Sequence, residues 1–419
     1  MKIDRRRFSV KAALGFPLAL TPWKLPAFQQ AIDKYHTLDA ILSNPVLDQS
    51  PFKDPIIIER LELLRYRDNF ICRVRSIEGA EGLSVSNNMQ MIALYPIFIK
   101  RLQGFFIGKD ARNIENLIEA AYVHQSNYKL QSVALWVPIA TIEFAILDLL
   151  GKMVNKSIGA LFGTIQHREI SVYQANNYRG ASAEESLRGI QENVESSGAK
   201  ALKFKVGGRM SHNKDYPPNR SEQLIPLVRK TFGDDMVIYA DSNGSYDVKE
   251  AIRMGKLMED YGFDFFEEPV PFDWYEETKA VADAIEVPVA GGEQEPSMHQ
   301  FRWLIANDAL QIVQPDPFYF GGMLRAMKVA RMAAASGKTC VPHISGSGLG
   351  FLYMMHFVSA LPNAGPYHEF KGFNDELPFH CSSSSLTTKD GKITVPTGPG
   401  LGIEIDPGFV EKHLLIKDA

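Results

Sequence analysis

Lys203 and Lys205 stand two residues apart in an apolar run of β type, residues 201–206. Side chains on a strand alternate between faces, so both ammonium groups leave on the same side. Like charges held together repel, and each lowers the other's affinity for a proton. A lysine tuned in this way can be neutral near neutral pH and can act as a base. Taken alone, Lys-x-Lys is more simply the solvent-facing side of an ordinary strand. The residues that follow decide the matter.

Beyond Lys205, short apolar runs end one after another in a polar residue: Asp241, Glu267, Glu293, Asp316, His343 and Glu369. From Lys205 onward, successive ends lie 23 to 36 positions apart, the length of a strand, a helix and their loops. A polar residue at the C-terminal end of strand after strand is the layout of a (β/α) barrel active site. The carboxylates of Asp241, Glu267 and Glu293 end three consecutive strands, and at one barrel mouth they repel unless a cation neutralises them. All-oxygen ligation with an incomplete protein shell favours a hard divalent ion, Mg2+ first and Mn2+ as the alternative. Three separate salt-bridged strand ends would be the plainer reading, but they do not account for the regular spacing.

The motifs Lys203-Phe-Lys205, Ala240-Asp241-Ser242-Asn243, Glu267-Glu268-Pro269, Gly292-Glu293, Gln314-Pro315-Asp316, Pro342-His343 and His368-Glu369 occur in this order. Together they resemble the enolase superfamily, specifically its mandelate racemase subgroup (mandelate racemase/muconate lactonizing enzyme-like proteins). The resemblance covers roughly residues 55–410. It implies an α/β fold: a modified (β/α)7β TIM barrel with an α+β capping domain formed by the N-terminal region and the C-terminal tail. It also implies roles. Lys205 is the base on one face of the substrate. Lys203 lowers the proton affinity of Lys205 and binds the substrate carboxylate. His343 faces the other side, its ring oriented by Asp316. Glu369, if protonated, hydrogen-bonds the far carboxylate oxygen. Asn243 contacts substrate or a water behind it. Glu268 points away from Glu267 into the surroundings of the site, and Glu295 is an additional acid without an assigned role.

The reaction implied is metal-assisted removal of the proton α to a carboxylate, through an enediolate that the ion stabilises. That proton is very weakly acidic, so an electrostatic trap and a positioned base are both required. The handling of such substrates by a Lys or His base with Mg2+ is a general property of enolase-type sites. With a hydroxyl on the β-carbon, His343 can help expel it, which gives a 2-keto-3-deoxy acid: acid-sugar dehydration, a lyase activity and the favoured expectation. Without a leaving group, reprotonation from the opposite face gives a racemase or epimerase, and a lactone cycloisomerase is a third variant. A non-catalytic, exported sugar-acid-binding protein is a distant alternative, whose mark would be loss of polar strand ends.

The elements that must position these residues divide the chain. Residues 1–27 carry Arg5, Arg6 and Phe8 ahead of a short apolar run, which reads as a twin-arginine-type signal and as periplasmic localisation (cytoplasmic if the segment is not a signal). Residues 28–54, with Gln29-Gln30, Asn44-Pro45 and Ser50-Pro51, read as a linker with at most one helical turn. Residues 55–168 are the capping domain: strands over 56–64 and 70–75, then helical periodicity over 89–102, 113–125 and 133–153. By analogy its 82–95 segment chooses the substrate. Glu143 and Asp148 lie in an otherwise apolar helix and read as helix-face or interface residues rather than catalytic ones. The barrel occupies 169–371. Asn176 and Asn177 end its first strand and read as turn formers, though a contact to a substrate hydroxyl is open to them. The loop 207–219 is placed to fold over the site, with His212 as an exposed loop histidine. Residues 372–419 return to complete the cap.

At 419 residues with 45% apolar content the chain has room for a barrel core and a second domain. A net charge of −4 gives no reason to expect nucleic acid as a partner. Cys72, Cys340 and Cys381 have neither metal-ligand spacing nor an even count for a disulfide framework. The expected partner is a small carboxylate, an acid sugar, with no membrane contact beyond export. The family implies a homo-oligomer.

Overall fold

The computed structural model describes residues 25–345, 348–371 and 378–417. The signal-type segment lies outside the described residues except for 25–27, which open a helix, and residues 372–377 of the tail lie outside them too.

Three antiparallel strands form the cap sheet: β1 (Ile58–Tyr66), β2 (Asn69–Ser76) and β3 (Glu81–Val85). The tail returns to this sheet, where Leu414–Leu415 pairs with Leu64 and Arg65 of β1. The helix Asn88–Ile97 follows, with Asn87 as its N-cap. Helical periodicity continues beyond it as a π-helical turn, Phe98–Gln103. Pro96 lies one turn upstream; it lacks an N–H and its ring crowds the preceding turn, so the ladder widens locally.

The helix Val133–Met153 is the hinge of the architecture. It is 21 residues long, with a mean hydropathy of 2.0 over its most apolar window, and 89% of that window is buried. By length and composition it could cross a membrane, but here it is the core helix between cap sheet and barrel. Its two acids are the interface residues the sequence suggested. Asp148 accepts from Leu83 N of β3 and Leu401 N of the tail, each at 2.8 Å. Glu143 accepts from Met323 N at 2.7 Å and Leu324 N at 2.9 Å, so it caps a barrel helix. Only glycine fits beside it: Gly322 has φ +120°, and a Cβ there would lie 2.1 Å from Glu143 Oε2.

The barrel strands are β4 (Glu169–Ala175), β5 (Ala201–Lys205), β6 (Val237–Asp241), β7 (Phe265–Glu267), β8 (Val289–Gly291), β9 (Ile312–Val313), β10 (Thr339–Cys340) and β11 (His368–Phe370). They are parallel, in the order β10-β9-β8-β7-β6-β5-β4-β11. The ends meet where Cys340 N donates to Asn363 O at 2.9 Å and Gly365 N to Cys340 O at 3.1 Å. Helices stand between successive strands, from Ala183–Ser197 to Leu349–Ser359. After β11 the chain leaves the barrel: a tail strand, Lys392–Thr394, pairs antiparallel with β4, and a short helix, Pro407–Glu411, comes only later in the tail. Below the mouth the barrel is filled by aromatic rings. Tyr239 stacks on Phe265 at 3.7 Å, and Tyr173 meets Tyr239 edge-on at 5.3 Å.

Residues 28–54 are not a linker. Leu25–Ser43 is one helix of 19 residues. Tyr35, Leu38, Ile41 and Leu42 recur at helical spacing and pack into the main core, and the helix lies against Met298–Ala306 and Met323–Ala335. Lys34 pairs with Asp308 at 3.0 Å, Asp39 pairs with Arg302, and the Arg302 guanidinium lies 5.0 Å from the Tyr35 ring. Val46 and Leu47 then bury their side chains while both backbone N–H groups donate to Glu115 at 2.8 Å.

Candidate active site

Strand register assembles the site. Lys205 of β5 pairs with Asp241 of β6, and Asp241 with Glu267 of β7, so these residues share one level and one face. Lys203 lies one inward position deeper, opposite Tyr239, with its ammonium 5.3 Å from the Tyr173 ring. Glu293 follows β8 after Gly292, whose φ is +111° and whose Cβ, if it had one, would lie 2.5 Å from Phe301. One ligand oxygen each from Asp241, Glu267 and Glu293 lie within 4.8 Å of one another, and all three residues are buried.

Cations flank the triad. Lys203 Nζ lies 2.7 and 3.0 Å from the two oxygens of Glu267, 3.8 Å from Asp241 and 3.6 Å from Glu369. Lys205 pairs with Asp241. Across the mouth, His343 Nε2 lies 3.2 Å from Glu293 Oε2 and 3.8 Å from Glu369 Oε2, while Nδ1 lies 2.7 Å from Asp316 Oδ2. An imidazole bonded to a carboxylate through Nδ1 presents Nε2 to the cavity, the arrangement an acid or base needs. The structure therefore brings Lys203, Lys205, Asp241, Glu267, Glu293, Asp316, His343 and Glu369 to one mouth.

The triad fits a divalent cation. Its donors are all oxygen, and buried Glu293 Oε2 has no hydrogen bond, its one close polar neighbour being His343 Nε2 at 3.2 Å. Burial, then the charge of Asp241, pushes the Glu267 carboxyl up to about 7. Burial also works against ionised Asp241, but Lys205 and Lys203 outweigh it and hold Asp241 well below the usual carboxylate range. Burial opposes a charged His343 as well; Glu293, Glu369 and the bond to Asp316 prevail and raise its proton affinity.

One expectation is corrected, and the condition on a second is weakened. Lys203 is not depressed by its lysine neighbour. Burial favours its neutral form, but Glu267, Tyr173, Glu369 and Asp241 surround it and raise its pKa well above the ordinary value, so its charge is firmly held. For Glu369 the condition attached to its role, protonation, is opposed by its neighbours. Burial favours the acid, but Lys371, Lys203 and His343 hold it well below the usual carboxylate range, and it accepts from Ile344 N at 3.1 Å.

Asn243 has φ +44°, and its polar atoms are already engaged. Its N–H donates to Asp241 Oδ1 at 2.8 Å, its Oδ1 accepts from Arg179 Nη1 at 3.0 Å, and Nδ2 lies 3.4 Å from both Asp241 and Glu268. It orients Asp241. Asn176 is buried and ties β4 to the carbonyl of Lys203 at 3.2 Å, while Asn177 and His212 are exposed. The 207–219 loop lies over the segment after β6, with Met210 N on Asn243 O at 3.0 Å and Asn213 N on Ser245 O at 2.8 Å. Glu295 is buried behind the mouth and accepts from the Tyr275 hydroxyl at 3.2 Å. The three cysteines are free thiols.

Sequence reasoning assigned nothing to Gln314, Arg179, Lys371 or Ser345. Gln314 donates to Glu267 Oε2 at 2.9 Å, and Lys371 lies 3.3 Å from Glu369 Oε1. Gln314 had a signal, since it stands two residues before Asp316. The others act through loops that no periodicity marks.

A parallel (β/α)7β barrel with three clustered acids at its mouth, lysine on one side, histidine on the other and an α+β cap above defines an enzyme of the enolase superfamily, in its mandelate racemase subgroup. Comparison with known proteins makes this specific: residues 185–409 match the family described as "Enolase C-terminal domain-like", and the chain belongs to it. Arabinonate dehydratase of Saccharolobus solfataricus is 29% identical over 75% of this chain and 82% of its own. D-galactarolactone cycloisomerase of Agrobacterium fabrum is 27% identical over 74% of this chain and 82% of its own. A mandelate racemase/muconate lactonizing protein from Paracoccus denitrificans, solved in complex with magnesium, superposes with a TM-score of 0.78 at 25% identity, over 87% of this chain and all of the other.

Proposed function

We propose that this enzyme dehydrates an acid sugar to a 2-keto-3-deoxy acid with Mg2+ bound by Asp241, Glu267 and Glu293. The observation that carries the reading is the acid triad set between Lys205, paired with Asp241, and His343 Nε2, 3.2 Å from Glu293. When bound, the cation would supply charge stabilisation for the substrate carboxylate as its α-proton leaves. Lys205 Nζ takes that proton. The charged Lys203 receives the carboxylate. His343, whose proton affinity is raised, gives its Nε2 proton to the β-hydroxyl, and the C–O bond breaks with release of one water. The enol left behind gains a proton at the β-carbon, loses its hydroxyl proton to solvent and becomes the 2-keto acid. Asp316 keeps the ring's Nδ1 bonded throughout, and Glu369 balances Lys203 and His343.

A second reading has support from the cycloisomerase relative: opening or closing of a sugar-acid lactone through the same two faces. One experiment separates the two. The protein is incubated with MgCl2 and a panel of aldonates, aldarates and galactarolactone in D2O, and followed by NMR. Keto-acid with loss of the α-proton is expected. Deuterium uptake or lactone rearrangement without elimination would transfer the activity to the isomerase reading, and binding without any exchange would overturn both. Lys205→Ala and His343→Ala should each abolish turnover in a folded protein.

The twin-arginine-type reading of residues 1–27 adds a proposal of place: export in the folded state to the periplasm. A reporter fused to residues 1–30 that stays in the cytoplasm would remove it. A homo-oligomer is proposed on family grounds, and sedimentation of a monomer would remove that.

A further inference from the structure

We propose that Ser345 is a positioning residue for His343 and that Asn87, from the cap, holds Ser345 in place. Docking of the 82–95 segment would then set the histidine ring. The proposal rests on the role given to His343 above.

The two oxygens of Asp316 are held differently. Oδ1 accepts from Phe318 N at 2.7 Å, Tyr319 N at 2.9 Å and the Ser345 hydroxyl at 3.1 Å. Oδ2, the oxygen that meets His343 Nδ1 at 2.7 Å, has one other donor, Ser345 N at 2.6 Å. The carboxylate edge facing the ring is therefore fixed by one backbone N–H, and a hydrogen-bonded carboxylate is what fixes a histidine's tautomer and orientation. The carbonyl of the same residue accepts from Asn87 Nδ2 at 3.0 Å, between buried groups. Asn87 Oδ1 in turn accepts from Gln90 N at 3.3 Å, capping the helix Asn88–Ile97. A continuous line of hydrogen bonds thus runs from a cap helix through Asn87, Ser345 and Asp316 to His343. A second strut ties the end of β3 to the barrel without joining this line: the Tyr353 hydroxyl bonds Val85 N at 2.8 Å and Val85 O at 3.1 Å.

The segment to which the family resemblance gives the choice of substrate is, in this arrangement, wired to the acid that expels the leaving group. A cap held away from the barrel would leave Lys205 and the triad intact but release Ser345, so elimination would wait on docking while α-proton removal would not.

The test uses the full chain labelled with 15N-histidine. His343 is assigned by the resonances lost in His343→Gln. In the parent protein its Nδ1 proton, bonded to a buried carboxylate, is expected as a slowly exchanging, strongly deshielded signal. Asn87→Ser keeps a helix cap but is too short to reach Ser345 O, and Ser345→Ala removes the hydroxyl contact alone. Tyr353→Phe cuts the other strut and serves as control. The deshielded signal should be lost or exchange rapidly in Asn87→Ser, weaken in Ser345→Ala and persist in Tyr353→Phe. With a panel acid that the parent protein dehydrates, Asn87→Ser should lower elimination about tenfold, the worth of about one hydrogen bond. The ratio of elimination to α-proton exchange should fall by about the same factor, whatever change in KM accompanies it. Retention of both the signal and the elimination-to-exchange ratio in Asn87→Ser overturns the proposal, as does absence of the signal in the parent protein. If no panel acid turns over, the reading of function fails separately, and the resonance still decides the positioning role.

Discussion

Glu143 gives a stability prediction with a definite sign. It is fully buried where the core helix meets a barrel helix, and burial pushes its carboxyl up to about 8 despite two backbone donors. In an unfolded chain the same group titrates near about 4.3. The folded value is the higher one, so the native state binds this proton more tightly. The stability this confers is complete below about pH 4.3 and is lost as the pH rises to about 8, a total of about 5 kcal/mol at about 1.4 kcal/mol per pH unit. Glu143→Gln removes the charge but also one of the two acceptor oxygens, which costs about 1–3 kcal/mol for the N–H left facing an amide. The variant should therefore be about 1–3 kcal/mol less stable than the parent near pH 4.5 and about 2–4 kcal/mol more stable above pH 8. Denaturant unfolding of both proteins at half-unit steps of pH measures the difference, in which every other titrating group cancels. A difference that does not change with pH would refute the reasoning, because it would mean that the two N–H donors keep this buried carboxylate as comfortable as water does.

Other outcomes follow from the site and the extension. MgCl2 at about one hundred times its Kd should stabilise the protein by about 2.7 kcal/mol; thermal melts against EDTA report it, and Glu293→Gln should erase the gain. Lys203→Met leaves Glu267 and Glu369 without their buried ammonium and should cost about 3–5 kcal/mol in EDTA, measured by denaturant unfolding. Leu38→Ala, in the buried stripe of the first helix, should cost about 2–4 kcal/mol; an unchanged melting temperature would mean that this helix is not packed on the barrel.

The strand-end residues were legible because the barrel repeats: one strand, one helix, one polar end, again and again along 205–369. The spacing alone places Lys205, Asp241 and Glu267 on neighbouring strands, and their inward alternation puts them at one level. What the spacing cannot carry is charge state. The proton affinity of Lys203 and the ionisation of Glu369 depend on which groups from other strands end within a few ångströms: acids gather round Lys203 and cations round Glu369. The first helix was missed although Tyr35, Leu38, Ile41 and Leu42 show its period, because the Gln, Asn-Pro and Ser-Pro punctuation around it suggested loop. Asn87 and Ser345 were beyond reach for a different reason. Each is an ordinary loop residue until the fold sets it against a residue 258 positions away.

The pairing of Leu64 with Leu415 also has a bearing on time. Strand β1 leaves the ribosome long before its neighbour, so the cap sheet cannot be completed until Leu414 and Leu415 have been made. The tail strand Lys392–Thr394 imposes the same delay on β4. The barrel's first strand must wait for residues made more than two hundred positions later, and contacts this distant in sequence are slow to form. Until those residues emerge, the nascent protein carries an unfinished sheet edge and an uncovered barrel seam, the features that recruit chaperones and drive misassembly. A stop codon or proteolytic cut that removes residues 414–415 should therefore act on yield far more than their distance from the mouth would suggest.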